Sequence, residues 1–523
     1  MKECVELVAR EKLLEESQEA LNARKEASLR EGTNMIGSAD AGIYIRSLYK
    51  RENVLYLIAR TAKKKALLAI ADQAVNFAFT GTSETHAGLS YQVVELTKEN
   101  APALHALFPF TKPVSLRDRR TTIGMGDRLG KATAGHIRAA RKYQVAPVLA
   151  QQSIRELDFT DRDFAEVVAD ASFAVFEEGY EEGYGADGDH LKNFEAIDTA
   201  LAEHMPMVTL DLTEVMKPDV ADWAENKVED AFNRLPDEFR DRVKRDFFDA
   251  SFRCGEHTIT IPTSEAKLCA VMYGPALDFS EKVNRHVKKK TNDTYDLEIS
   301  IDETTTPTLP EHHVFIAREL QERGVMVNSL APRFVGEFQK AIDYIGDIDE
   351  FERQFAVHCA IAREFGGYKI SVHSGSDKFS VYPAVGKHTG HRLHLKTAGT
   401  SWLESIRVIA RKAPDLYRTM HTKAIQFFPE ALKYYRITAD IETIPAPESV
   451  PDEKLESLLE IAECRQLLHV SYGGLLSDPA VRSDFFATLH REEESYYNII
   501  EAHFDKHISL LGVPRKKQAR KAG

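Results

Sequence analysis

The feature that most constrains this chain is a rhythm. From about residue 118, short apolar runs end in polar loops, often with glycine, and then give way to amphipathic helical stretches. The runs are TTIGMG (121–126), APVLAQQ (146–152), SFAVFEEG (172–179), PMVTLDLTE (206–214), DLEISIDET (296–304), GVMVNSLAP (324–332), YKISVHSG (368–375) and RLHLKT (392–397). Strands buried on both faces and separated by helices mark parallel β/α units. Eight such units close a (β/α)8 barrel of the TIM type, an α/β fold. A doubly wound open sheet is the rival. It wants a GxGxxG phosphate loop after its first strand, and GMGDRLG misses that spacing.

The rest of the chain divides around that rhythm. Residues 1–35 read as a polar, frayed helical extension. Residues 36–117 carry short β-rich runs, NVLYLIAR and ALLAIA among them, and read as a small α/β accessory layer, antiparallel or mixed. The barrel then spans 118–415. The interval 215–295 is too long for one crossover and reads as a helical insertion containing a short HTITIP strand. Residues 416–523 read as a helical C-terminal region, with a Pro-rich hinge at 443–454 and a basic, disordered tail PRKKQARKAG.

Composition narrows the function classes. A net charge of −13 over 523 residues argues against a nucleic-acid partner, because phosphate binding wants a basic face. Cys4, Cys254, Cys269, Cys359 and Cys464 form no CxxC pair, which speaks against a zinc knuckle or a disulfide framework. With a charged N-terminus and no apolar run near the roughly 20 residues that span a bilayer, the expectation is a cytoplasmic protein with no membrane partner. The oligomeric state is left open, a homo-oligomer included.

In a barrel of this kind the chemistry sits on loops after the C-terminal strand ends. After the third run, glycines precede Asp187, Asp189 and His190. N-capping of the next helix would account for one Asp, but a cap does not need an imidazole beside it. The fifth run closes on Asp302 and Glu303, followed by His312 and His313 at a helix start, where the dipole disfavours a cationic imidazole. One exposed and one packed His is the bland alternative. The seventh run ends in His373, Ser374, Asp377 and Lys378. A lone buried His is often structural, but a dense polar loop after a buried strand is where function concentrates. Lys378, Lys396 and Arg333 are candidate cations for a carboxylate substrate, although each alone reads equally as a surface charge. Asp127, Arg128, Gln151 and Gln152 complete a polar mouth. His and carboxylate ligands without thiolate suit a divalent Zn, Mn, Ni, Co or Fe ion without choosing one.

The stretches TTIGMGDRLG, YGADGDHLKNF, IDETTTPT, LAPRFVGEFQKAIDYIGD and SVHSGSDKFSVYP resemble the tagaturonate epimerase family, bacterial enzymes that interconvert tagaturonate and fructuronate. The likeness runs from about residue 40 to 510. It implies a divalent-metal-dependent isomerase of hexuronate catabolism acting on a small keto-uronate. Carried over motif by motif, it implies Asp189 as the proton acceptor, His190 and His373 as metal ligands and Glu303 as a second acid/base group. His313 is added as third ligand on geometric grounds alone, with Asp302 and His312 as substitutes. The two ketouronates differ at a carbon β to the ketone, whose proton is too weakly acidic for simple enolisation. Retro-aldol cleavage and recondensation is therefore the expected route. A metal-dependent ketose isomerase or aldolase, and a catalytically silent sugar-acid binding protein, are the alternatives.

Overall fold

The computed structural model describes residues 1–302, 304, 306–397, 399–435 and 437–517. Eight strands close into a barrel: β1 (Thr121–Met125), β2 (Ala146–Ser153), β3 (Gly185–Leu191), β4 (Met207–Asp211), β5 (Asp296–Ile301), β6 (Ser329–Pro332), β7 (Lys369–Val372) and β8 (Leu393–Thr397). They neighbour one another in sequence order, every pairing is parallel, and β8 returns to β1 through Leu393–Thr121 to Thr397–Met125. Helices follow the strands and cover the barrel, so strand residues such as Ile123, Leu297, Ile299, Leu330, Ile370 and Leu395 are buried. This is the (β/α)8 architecture expected from the rhythm.

One strand lies elsewhere than its sequence run indicates. SFAVFEEG is not the third strand; it is the last half of a helix, Phe164–Glu178. Asp163 and Glu166 form a capping box at its start, and Gly179 ends it with φ +55°. A short apolar run reads equally as buried helix or strand, and here the caps decide. The true third strand, GADGDHL, has no apolar run because its side chains build the site. Its glycines let it pack closely: a Cβ on Gly188 would lie 2.8 Å from Ala200 Cβ and Leu191 Cδ1.

Before the barrel, seven strands between Met35 and Val94 pair entirely antiparallel. One face meets helix Phe164–Glu178 through Tyr49, Phe108, Phe173 and Phe176. The other is covered by the N-terminal segment, which is not frayed. Helices Lys2–Arg10 and Gln18–Glu31 bury Cys4, Val5, Val8 and Leu21 against Leu55, Leu57, Leu68 and Ile70. The charged sequence hid Cys4, Val5 and Val8, whose spacing forms one apolar stripe on the first helix, and Leu21 on the second.

Between β4 and β5 run helices Glu225–Asn233 and Asp237–Phe247, a hairpin pairing Ala250–Cys254 with His257–Ile261, and the long helix Thr263–Thr291. After β8, helices Ala462–Val470 and Glu493–Leu510 pack back on the barrel, the latter with Ile500 against Gly135. The tail is anchored as far as it is described: Gln144 N donates to Pro514 O at 2.8 Å and Lys516 N to Lys142 O at 2.9 Å. Residues 518–523 of the expected disordered tail lie outside the described residues.

Candidate active site

The ends of β2, β3 and β8, with the loops after β5 and β7, converge on one cavity. It is lined by Gln151, Asp189, His190, Asp302, His373, Ser374, Lys378 and Lys396, together with Arg155, Lys340 and His469 among others. Successive residues of a strand face opposite sides, so Asp189 and His190 should not both reach one mouth. They do because the β3–β4 register shifts between Gly188 and Leu191, and His190 takes φ +53°. A bulge of this kind re-aims a side chain. Ala341, at φ +67°, and Ser374, at φ +47°, are further left-handed residues in the cavity wall, and such conformations concentrate at functional sites.

Lys396 is the electrostatic centre. Its Nζ lies 2.6 Å from Asp189 Oδ1, 2.9 Å from Asp187 Oδ2 and 3.0 Å from Glu298 Oε1, and it also donates to Thr209 Oγ1. Burial alone would discharge this ammonium, but three carboxylates hold its pKa well above the usual lysine range. The acids split in response. Burial and its two acidic neighbours push Asp187 up to about 6 against the pull of Lys396. For Asp189, burial raises the pKa too, but Lys396, His190 and His373 outweigh it and hold the carboxylate ionised. Such divergence between adjacent acids is the pattern of acid/base sites.

His373 stands between two carboxylates, with Nε2 2.6 Å from Glu298 Oε1 and Nδ1 3.1 Å from Asp302 Oδ1. Burial works against a charged ring, yet Asp302 and Glu298 lift its pKa to about 10. His190 lies 5.1 Å away, ring centre to ring centre, with Nδ1 3.5 Å from Asp211 Oδ2 and Nε2 3.8 Å from Asp189 Oδ1. Lys340 and Lys378 also line the cavity. Lys378 Nζ donates to the carbonyls of Gln339, Ile342 and Ser376 at 2.6 to 3.0 Å, and burial brings its pKa down to about 7. Both ring nitrogens of His469 and both amide atoms of Gln151 are buried without a hydrogen-bond partner. Burial, with Arg128, Lys340, Arg465 and Lys378 around it, keeps His469 neutral.

The fold assigns other work to several residues expected at the mouth. His313 is buried on the helix after β5, with Nδ1 2.9 Å from His358 Nδ1 and Nε2 2.7 Å from Tyr368 Oη, so neither nitrogen faces the cavity. A helix start places its side chains by turn, and His313 turns inward. His312 packs with Glu265 and Cys269 instead. Asp127 caps the next helix, accepting from Ala132 N at 2.7 Å and Thr133 N at 3.1 Å. Arg128 pairs with Glu156 at 2.8 Å and lies over the Tyr472 ring. Arg333 donates to Thr304 O, and Asp377 pairs with Arg465 at 2.8 Å. Glu303 lies outside the described residues.

Glu298 was detectable in the sequence, as a charge inside the apolar strand DLEISI. His469 was not, because AECRQLLHV is an ordinary amphipathic helix.

Comparison with known proteins bears on this geometry. The model of the tagaturonate epimerase family matches residues 44–511, most of the chain. The chain belongs to that family. A tagaturonate/fructuronate epimerase of Thermotoga maritima is 37% identical over 469 residues, covering 90% of this chain and 96% of the relative. The native crystal structure of a fructuronate-tagaturonate epimerase from Cohnella laeviribosi superposes with a TM-score of 0.86 at 41% identity, over 94% of this chain and 99% of that one. Its complex with one glycerol gives 0.87 at 41% identity, over 95% and 100%. As a member of the tagaturonate epimerase family the chain is an isomerase, and the barrel mouth just described is where its acids, imidazoles and cations meet. Among the described residues no helix is long and apolar enough to cross a membrane.

Proposed function

We propose that this chain interconverts tagaturonate and fructuronate by retro-aldol cleavage and recondensation at the barrel mouth. The observation that carries the reading is the pairing of an ionised, buried Asp189 with Lys396 in a cavity also lined by Lys340 and Lys378, in a chain of this family. An acidic protein can hold an anionic sugar acid only where cations are gathered locally. Lys340 and Lys378 line the cavity near the neutral ring of His469. The substrate carboxylate therefore sits against Lys340, Lys378 and His469, which directs the ketone and its β-hydroxyl toward Asp189 and His190.

The donor set fits a divalent cation. His373 gives one nitrogen to Glu298, the outer-shell carboxylate typical of metal-ligating imidazoles, and its buried Nδ1 faces Asp302 Oδ1 at 3.1 Å without a geometrically formed hydrogen bond. His190 has Asp211 beside its Nδ1 in the same manner. His190, His373 and Asp302 would hold the ion, with Asp302 in the place expected of His313. Bound there, a divalent cation supplies Lewis-acid polarisation of the ketone and the adjacent hydroxyl.

The protein's own groups move the protons. Asp189 takes the proton of the β-hydroxyl. The bond between that carbon and its neighbour on the ketone side breaks, leaving an aldehyde and an enediolate. Lys396 steadies the Asp189 carboxylate before it takes that proton and again after it returns it. The aldehyde turns, its other face is attacked, and Asp189 returns the proton to the new hydroxyl. Glu303, next to Asp302 in sequence, is the second acid/base group of this reading.

The test is NMR of tagaturonate incubated with the protein in deuterated water. The expected result is fructuronate without deuterium at the inverted carbon, and a trace of aldehyde on quenching. Deuterium at that carbon with no trapped aldehyde would replace this route by direct deprotonation. No fructuronate at all would remove the activity.

A further inference from the structure

Gln151, near the end of β2, stands among the residues of the barrel mouth, yet nothing in the protein meets its amide. The side chain is 1% exposed and lines the cavity, and neither Oε1 nor Nε2 has a hydrogen-bond partner. Buried polar atoms are nearly always matched. An amide with both atoms unmet asks for a ligand or water that donates as well as accepts.

Sheet register places the amide. Gln151 on β2 pairs with Asp187 on β3, and Gly124 on β1 pairs with Lys396 on β8. Register partners on parallel strands face the same side, and Lys396 meets Asp187 inside the barrel at 2.9 Å. Gly124 and Gln151 therefore both face inward, on the two strands that separate β8 from β3. A Cβ on Gly124 would lie 1.6 Å from Gln151 Oε1 and 2.8 Å from its Cδ. Gly124 is not among the glycines of positive φ, so its backbone alone would accept a side chain. The close approach of the Gln151 amide across β1 is what requires glycine there.

The amide is neutral, in a cavity where Asp189 and Lys396 already carry paired charges. A carboxylate only accepts and an ammonium only donates. A hydroxyl does both, and a primary amide matches it with one donor group and one acceptor. A keto-uronate carries hydroxyls in a row, beginning at the carbon whose proton Asp189 handles in the proposed reaction. We propose that Gln151 is a specificity-determining residue that reads the hydroxyls of the sugar-acid chain, and that Gly124 is the positioning residue that lets it reach them. The assignment rests on the epimerase reading above for the identity of that sugar acid.

The test is calorimetric titration of tagaturonate into the full chain, with melting temperatures and NMR turnover on the same samples. Gln151→Leu should weaken binding by about 10-fold, the scale of one or two neutral hydrogen bonds. It should melt no lower than the parent, because leucine replaces a buried amide that has no partner. Gly124→Ala should weaken binding by a similar factor. The loss in the double variant should stay near 10-fold, because both changes act through one side chain. Parental affinity in Gln151→Leu overturns the proposal. So does a melting temperature well below the parent's, which marks an amide with a structural role. A loss near 100-fold in the double variant overturns the part given to Gly124, and if Gly124→Ala fails to fold, Gln151→Leu decides. Weakened binding in Gln151→Leu when the parent forms no fructuronate would uphold the hydroxyl contact and remove the epimerase reading. Parental affinity when the parent forms fructuronate would remove the hydroxyl contact alone, and no binding by the parent overturns both.

Discussion

Lys396, on the last strand of the barrel, donates to Asp189, on the third, across 2.6 Å of buried space. That bond spans the barrel interior and fixes which of the crowded acids stays ionised. Removing the cation while leaving Asp187, Asp189 and Glu298 buried exposes three carboxylates to mutual repulsion. Lys396→Met should therefore lower kcat by at least about 100-fold and destabilise the fold by roughly 3–5 kcal/mol, the cost of breaking a buried pair. Denaturant melts and initial rates check both. A variant of parental stability would show that the acids are neutral without it.

The proposed reaction gives Asp189 and His373 different tasks, and substitution separates them. Asp189→Asn keeps the side-chain shape but cannot accept a proton, so activity should fall by about 10²–10⁴. His373→Ala should do the same and in addition lower bound divalent metal. Metal analysis beside turnover makes the distinction. Equal metal loss in both variants would move Asp189 into the ligand set.

His469 and the two lysines of the cavity lining predict substrate selectivity. His469→Leu removes an uncommitted polar group beside Lys378 and Lys340. Its loss should raise KM for tagaturonate by about 10- to 100-fold, the worth of one hydrogen bond to a charged group. The same variant should leave the KM for a neutral ketohexose, where one is turned over, nearly unchanged. Parallel changes for both substrates would place the carboxylate elsewhere.

The buried pair His313 and His358 predicts acid lability. Burial lowers both, His358 to about 4 and His313 well below its usual 6.5. Both folded pKa values are depressed, so the unfolded chain binds more protons as pH falls below 6.5. Stability is complete above that value and is lost on descent toward pH 4. For His358 alone the interval is worth about 3 kcal/mol. Melting temperatures between pH 7 and 4 should fall less steeply in His358→Phe than in the parent. An identical slope would mean that other groups dominate the acid limb.

The candidate site was legible where a polar residue interrupts an apolar pattern. His373 follows KISV, Asp302 follows DLEISI and Lys396 sits within LHLKT, and the barrel rule then places all three at one mouth. Asp189 and His190 were legible as a pair, though not as strand residues. A strand made of Gly, Ala, Asp and His has no hydrophobic signature, and only the bulge after Gly188 brings both side chains inward.

Periodicity, composition and local motifs thus determined the barrel class, seven of its eight strands and most of its polar lining, because each rests on neighbours within a few residues. Tertiary structure decided the rest. Whether His313 faces a cavity or His358, whether Asp127 binds a ligand or caps a helix, and whether His469 touches the mouth at all depend on residues far apart in the chain. A side chain's partner is set by packing in three dimensions, and a single sequence holds no record of the distance between two of its own helices.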